Sequence, residues 1–254
     1  MTIRKFRDLT VMPQPRGGFL VAACDSCGGV GPKEGDVLKT DGFTVGYTAA
    51  SVVLMELIAA GAEPFFLADG LAVEADPTGQ DILRGILRAA AEAGITEEAV
   101  TGSTEENFPT LQTGLGITAL GWTDTWPVYQ STPGDLLVLA GLPRSGKAVL
   151  EPDRGDRLTL ALLKKLRTEE PFSLLIGEIL PVGSRGVLAE AEDLAVTAGC
   201  LFHPGEAFSV SLEESGGPST CAVLSVKPDN LAALIRVSPL PLTLLGRLRG
   251  LDLT

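Results

Sequence analysis

The stretch Thr101 to Trp122, TGSTEENFPTLQTGLGITALGW, concentrates groups that can do chemistry. Gly102, Ser103, Thr104, Glu105, Glu106 and Asn107 make a poor core segment and a poor helix interior, so the sequence predicts an exposed turn. Such a run offers backbone N–H groups, hydroxyls and two carboxylates within a few residues. That mixture suits a nucleotide phosphate and its Mg²⁺, with N–H and hydroxyl groups meeting phosphate oxygens and carboxylates meeting the metal. Taken alone, a capping turn between two strands explains the run equally well.

Four aspartates upstream favour the chemical reading. Asp25, Asp36, Asp41 and Asp69 fall at or near the ends of predicted strands, where loops on a rigid scaffold carry ligand groups. They are the candidate metal ligands, since Mg²⁺ takes one or two carboxylates plus phosphate oxygens. The plainer alternative is four solvated turn residues. The segment from Asp25 to Asp36 holds Gly28, Gly29, Gly31 and Gly35 beside Lys33. Glycines near a lysine can wrap N–H groups around phosphate, and Lys33 or Lys39 would meet it as a point charge. The segment is not a GxGxxG opening a helix, so a dinucleotide fold is not supported.

Three other motifs carry less. Gly141 to Ala148, GLPRSGKA, fits a phosphate-loop pattern but has Ala148 where the Mg²⁺-binding hydroxyl belongs, and Pro152 and Gly155 forbid a long helix after it. Cys24 and Cys27 have C-x-x-C spacing without the further ligands that zinc needs. His203, the single histidine, lies in a turn-like HPGEAF without a nucleophile elbow nearby.

The elements that must position these groups alternate strand and helix. A buried strand is expected over Gly18–Cys24, with Asp25 at its end, and a second over Val37–Lys39. A helix apolar on nearly every side opens at Thr44 or Gly46 and runs to about Ala60, with Glu56 as its single charge. A strand over Phe65–Glu74 carries Asp69. A helix capped by Asp76 or Thr78 runs to Ala93 and stops at Gly94. Asp124–Gly134, with two prolines and no periodicity, marks a domain boundary, giving domains 1–130 and 131–254. The second half predicts strands at Asp135–Ala140, Ser173–Leu180, Ala207–Leu212 and Thr220–Val226. It predicts helices at about Asp156–Arg167, Ser184–Ala198 and Asp229–Arg236.

Composition sets the outer bounds. The chain has 254 residues, 45% of them hydrophobic, enough for two modest cores. A net charge of −12 argues against a general nucleic-acid or anionic-membrane surface. The start MTIRKFRDL lacks a following apolar run and four cysteines form no disulfide framework, so no signal peptide and a cytoplasmic location are expected.

ACDSCGGVGPKEGD, the following KTDG, GYTAASVVLMELIAAGAEP and TGSTEENFPTLQTGLGITALG together resemble the N-terminal half of the aminoimidazole ribonucleotide synthetase-related (PurM-like) superfamily. EILPVGSRGVLAEAEDLA and SGGPST look like its C-terminal domain. The resemblance implies an α+β fold of two α/β sandwich-like domains, the N-terminal sheets of a homodimer pairing into a barrel. It also implies ATP and Mg²⁺ as cofactors and a small-molecule substrate. Asp25 matches the family's first acidic motif and Asp41 the aspartate closing the second strand. Thr101–Thr104 matches a Gly-Gly-Asp-Thr turn, with Ser103 where aspartate is common, and Glu56 stands where thiamine monophosphate kinases have aspartate. The wording CDSCGGVG, KEGD and GSTEENFPT looks most like the α-ribazole kinases. By this reading Asp25, Asp36, Asp41 and Asp69 hold Mg²⁺, and Lys33, Lys39, Gly102, Ser103, Thr104 and Asn107 contact the nucleotide. Asp25, Glu105 and Lys33 carry the catalysis. Another phosphotransferase or synthetase of the superfamily, or a non-catalytic nucleotide-binding protein, is the alternative.

Overall fold

The computed structural model describes residues 2–126, 131–206 and 208–251. The chain divides into two compact units, the first ending at Trp126.

In the first unit, β1 (Arg4–Phe6), β2 (Leu9–Pro13) and β3 (Phe19–Gly28) precede a short parallel pair, β4 (Val30–Gly31) and β5 (Leu38–Lys39). Helix α1 (Gly42–Ala59), β6 (Glu63–Leu71), a wide turn at Ala75–Gly79, α2 (Gln80–Ala93), β7 (Val100–Thr104) and β8 (Gly114–Thr123) complete it. The main sheet runs β1-β2-β3-β8-β6-β7. Both β3 and β6 lie antiparallel to β8, and β7 lies parallel to β6. Strands β3, β6 and β7 therefore point the same way, and their carboxyl ends open into one cluster of loops. Such ends are where α/β sheets place ligands.

Side-chain alternation fixes what each face does. Val21 and Ala23 on β3, Leu67 and Leu71 on β6, and Leu115, Ile117 and Ala119 on β8 are buried against the helix layer. Helix α1 is long and apolar enough to cross a bilayer, but 67% of it is buried inside the unit. Its apolarity is that of a core helix packed on the sheet and on α2. Gly46 and Gly85 permit the close crossing of α1 and α2: a Cβ at Gly46 would strike the Ile82 carbonyl, and one at Gly85 the Phe43 carbonyl.

The first unit corrects the sequence reading in three places. Strand β3 continues to Gly28, so Asp25 stands inside it rather than at its end. Helix α1 starts earlier than expected, at Gly42, because Asp41 caps it. Thr101–Thr104 is not a turn but most of β7, an edge strand paired with β6.

The second unit holds β9 (Leu136–Ala140), α3 (Leu160–Thr168), α4 (Phe172–Leu175), β10 (Ile176–Pro181) and α5 (Val187–Thr197). It continues with β11 (Cys200–Pro204), β12 (Ala222–Val226), α6 (Leu231–Val237) and β13 (Leu242–Gly250). Its antiparallel sheet runs β10-β12-β9-β13-β11. Strands β9 and β12 are buried along their whole length, as central strands covered on both faces should be. The face under α5 packs Val187, Ala191 and Leu194 against Leu137, Leu139 and Val223. The strand expected at Ala207–Leu212 is absent: residues 208–212 form bends and turns, and Ala207 lies outside the described residues. Its place in the sheet is taken by β11, at the residues read as a turn, and by β13.

Candidate active site at the carboxyl ends of β3, β6 and β7

Three loops, spanning 29–37, 72–79 and 105–113, are laced together at this end. Asp36, buried, accepts from Thr113 N (2.7 Å), Thr113 Oγ1 (2.7 Å) and Lys33 N (2.9 Å). Gln112 Nε2 donates to Gly35 O (2.7 Å), and Gly35 N donates to Leu111 O (2.8 Å). Lys33 Nζ pairs with Glu74 Oε2 at 2.5 Å and donates to Thr110 O at 3.0 Å. Glu106 Oε1 accepts from Ala75 N (2.7 Å) and Thr104 Oγ1 (2.9 Å), and Glu105 N donates to Val73 O (2.9 Å). The glycine-rich segment is thus a braced rim rather than a free loop.

Within this rim, Asp69 stands apart. On β6 it faces the helix layer, directly beside Gly102 of β7. A Cβ at Gly102 would collide with the Asp69 carboxyl group, so only glycine leaves that carboxyl its place. Its Oδ2 is buried with no hydrogen-bond partner. Burial pushes its pKa up from 3.8 to about 6. It lines a cleft of about 340 Å³ with Leu71, Leu83, Leu87, Val100 and the β7 edge. Because β7 ends the sheet, the free side of its backbone presents groups that no neighbouring strand uses.

Asp25 shares this register. Both Asp25 on β3 and Asp69 on β6 pair with Ile117 of the intervening β8, so both point to the helix-facing side. Burial raises the Asp25 pKa, Ser26 N–H opposes the rise, and the charge of Asp8 adds to it. The two carboxyls face one side of the sheet but stand two strands apart across Ile117, and the rise of neither comes from the other's charge.

The other predicted residues are placed differently. Asp36 spends its oxygens bracing loops. Asp41 accepts from Thr44 N (2.7 Å) and Thr44 Oγ1 (3.0 Å) as the cap of α1, assisted by Asp81, which accepts from Phe43 N (3.1 Å). Lys33 is committed to Glu74: burial works against that carboxylate, but Lys33 and Thr78 hold its pKa down at about 2. Lys39 Nζ donates to the carbonyls of Lys33 and Glu34. Glu105 Oε1 accepts from Asn107 N (2.7 Å) and Phe108 N (3.2 Å), shaping a turn rather than facing the cleft. Ser103 and Thr104 lie on the cleft edge with Gly102, while Asn107 is exposed in the adjoining turn. Glu106, one of the two carboxylates expected to meet the metal, instead braces the loops, and the bracing roles of Glu74 and Thr113 were not anticipated. The only sequence signal was the Glu74/Thr78 spacing of four.

Among the described residues no three His, Cys, Asp or Glu side chains form a ready-made metal cluster. That suits Mg²⁺ held mostly through phosphate oxygens, which needs only one or two protein carboxylates. The orphaned Asp69 Oδ2 fits such an ion; Asp25 stands two strands away across Ile117, and Asp36 and Asp41, whose oxygens are already engaged, fit it poorly. The C-x-x-C motif does not form a dithiol site: Cys24 and Cys27 are three apart on one strand and point to opposite faces.

Residues 8–123 match the family model described as AIR synthase related protein, N-terminal domain. No curated protein matches the chain. Among solved structures, thiamine-monophosphate kinase from Stenotrophomonas maltophilia K279a is similar over 98% of this chain and 89% of its own, with 18% identity and a TM-score of 0.64. AaThiL complexed with AMPPCP and TMP is similar over 96% and 84%, with 18% identity and a TM-score of 0.61. Hydrogenase maturation protein HypE in complex with ATP is similar over 92% and 77%, with 14% identity and a TM-score of 0.64. The family match is confined to residues 8–123, and the chain as a whole has the fold of these structures.

Proposed function

We propose that the chain is an ATP- and Mg²⁺-dependent enzyme of the PurM-like type that transfers phosphate to, or activates, a small molecule. The observation that carries the proposal is the buried, unpartnered Asp69 carboxyl beside the Gly102–Thr104 edge. A carboxylate kept in that state contributes nothing to folding and is suited to a metal–phosphate ligand.

Asp69 would hold Mg²⁺, which would neutralise phosphate charge. The free edge of β7 would donate N–H groups and the Ser103 hydroxyl to phosphate oxygens, the Thr104 hydroxyl being engaged by Glu106. The braced rim fixes their positions, and positioning with charge neutralisation is most of what phosphoryl transfer requires. The raised pKa of Asp25 brings it nearer the working range of a group that accepts a proton from an acceptor hydroxyl. Lys33 acts through Glu74 as a brace, a positioning role rather than a contact with the reacting atoms.

At the level of substrate, α-ribazole is the acceptor we propose, on the CDSCGGVG, KEGD and GSTEENFPT wording, with a homodimer of paired N-terminal sheets. Thiamine monophosphate is the second candidate, supported by the likeness in fold to thiamine-monophosphate kinase. A panel assay with both acceptors tests this: ADP release with one of them identifies the acceptor, and ATP binding without turnover in any mixture would reject the kinase reading.

A further inference from the structure

The β11–β13 pair carries a cationic face that the proposed chemistry does not use. His203 pairs with Arg247, and Leu201 with Arg249, so all four project to the same side of the sheet. All four are exposed. The flanking residues Cys200 and Leu248 are buried on the opposite side, which fixes the orientation. No salt bridge joins Arg247 or Arg249 to an acid among the described residues. Elsewhere in this unit Arg144 is paired with Asp156, Arg185 with Asp193 and Lys227 with Asp135.

This arrangement has a cost. Arg247 and Arg249, two apart on β13, hold their like charges on one side of the sheet, where they repel. The chain has 32 acidic residues against 20 Lys and Arg, yet none of the described acids lines this surface. The surface is concave, a cleft of about 850 Å³ bordered also by Pro133, Gly134 and the exposed Leu201 and Leu251. Clustered guanidinium groups suit phosphate oxygens, which they bind in a bidentate manner. The adjoining leucines suit an apolar ring. A concave site with both features fits a small molecule better than a flat protein face.

We propose that the β11–β13 cleft binds a phosphate-bearing small molecule with an apolar or aromatic part, of the mononucleotide kind. Arg247 and Arg249 hold the phosphate, Leu201 and Leu251 contact the ring, and His203 borders the phosphate end. This site lies wholly in the second unit and does not depend on the assignment of Asp69.

The single histidine makes the test direct, because one imidazole signal reports on this cleft alone. The full chain is titrated with AMP, and separately with inorganic phosphate, while the His203 Cε1–H resonance is followed by NMR. AMP is expected to move the resonance saturably and at lower concentration than phosphate. The double variant Arg247→Ala/Arg249→Ala should weaken AMP binding about tenfold or more, while Asp69→Asn leaves it unchanged. The proposal is overturned if AMP leaves the resonance in place, if phosphate matches AMP, or if the double variant, checked for folding by its melting curve, titrates like the parent.

Discussion

Replacing Asp69 with Asn should make the protein more stable and less active. The carboxyl is raised from 3.8 to about 6 by burial alone. At 1.36 kcal/mol per pH unit that corresponds to roughly 3 kcal/mol of destabilisation once the group is ionised. Asp69 is only half-buried, so solvent screening reduces the usable figure to about 1–2 kcal/mol. The sign follows from the direction of the shift. The folded pKa lies above the unfolded one, so the folded state holds its proton longer. The penalty is therefore absent below about pH 4, grows between pH 4 and 6, and is complete above 6. Asn keeps the shape and removes the charge. Thermal melts of both proteins without ligand at pH 4 and pH 8 should coincide at the lower pH. At the higher pH the variant should melt about 3–8 °C later. Mg²⁺ with ATP should then stabilise the parent and not the variant, since the ion meets the charge that Asn lacks. A variant that is less stable at pH 8, or whose difference from the parent does not change with pH, would refute the account of Asp69.

Other consequences can be measured separately. Asp25→Asn should cut turnover by about 10²–10⁴-fold, on the magnitude usual for lost acid–base catalysis, while the melting temperature at neutral pH stays the same or rises, since burial disfavours this charge too. Lys33→Met removes the partner of Glu74, whose folded pKa is depressed to about 2. The parent's advantage, about 1 kcal/mol after screening, should be present above pH 4.5 and lost as pH falls through 2 in denaturant titrations. Gly102→Ala places a Cβ against the Asp69 carboxyl and should weaken nucleotide binding at a stability cost of about 1–3 kcal/mol, measured by calorimetry and melting. Cys24→Ser and Cys27→Ser should each retain turnover, because the two thiols sit on opposite faces of β3; loss of activity in both would point to a thiol mechanism.

The sequence made the regular parts of this fold legible and concealed the long-range ones. The all-round apolar character of the stretch after Thr44 identified α1 as a core helix, and Gly94, in the left-handed conformation at φ 93°, ends α2 where expected. The start of α1 was misplaced because Asp41, read as a metal ligand, is its cap, supported by Asp81 from 38 residues away. Thr101–Thr104 read as a turn because its residues are small and polar. In the sheet they are small because the Asp69 carboxyl occupies the space beside Gly102. In the second unit β13 escaped notice. Its pattern is broken by a bulge between Leu244 and Gly246, so the alternation that marks a strand is lost. Of the candidate site, Asp69 and the 102–104 edge were legible as residue types. Which aspartates keep free oxygens was not, since the partners of Asp36 and Lys33, Thr113 and Glu74, lie far along the chain.

The most direct measurement is a coupled ADP-release assay on the full chain with ATP and Mg²⁺, run with α-ribazole and thiamine monophosphate in separate mixtures and repeated with Asp69→Asn. The account predicts ADP release that requires Mg²⁺ and an acceptor and that disappears in the variant. Undiminished release by Asp69→Asn, or no binding of ATP by the parent protein in calorimetry, would contradict it.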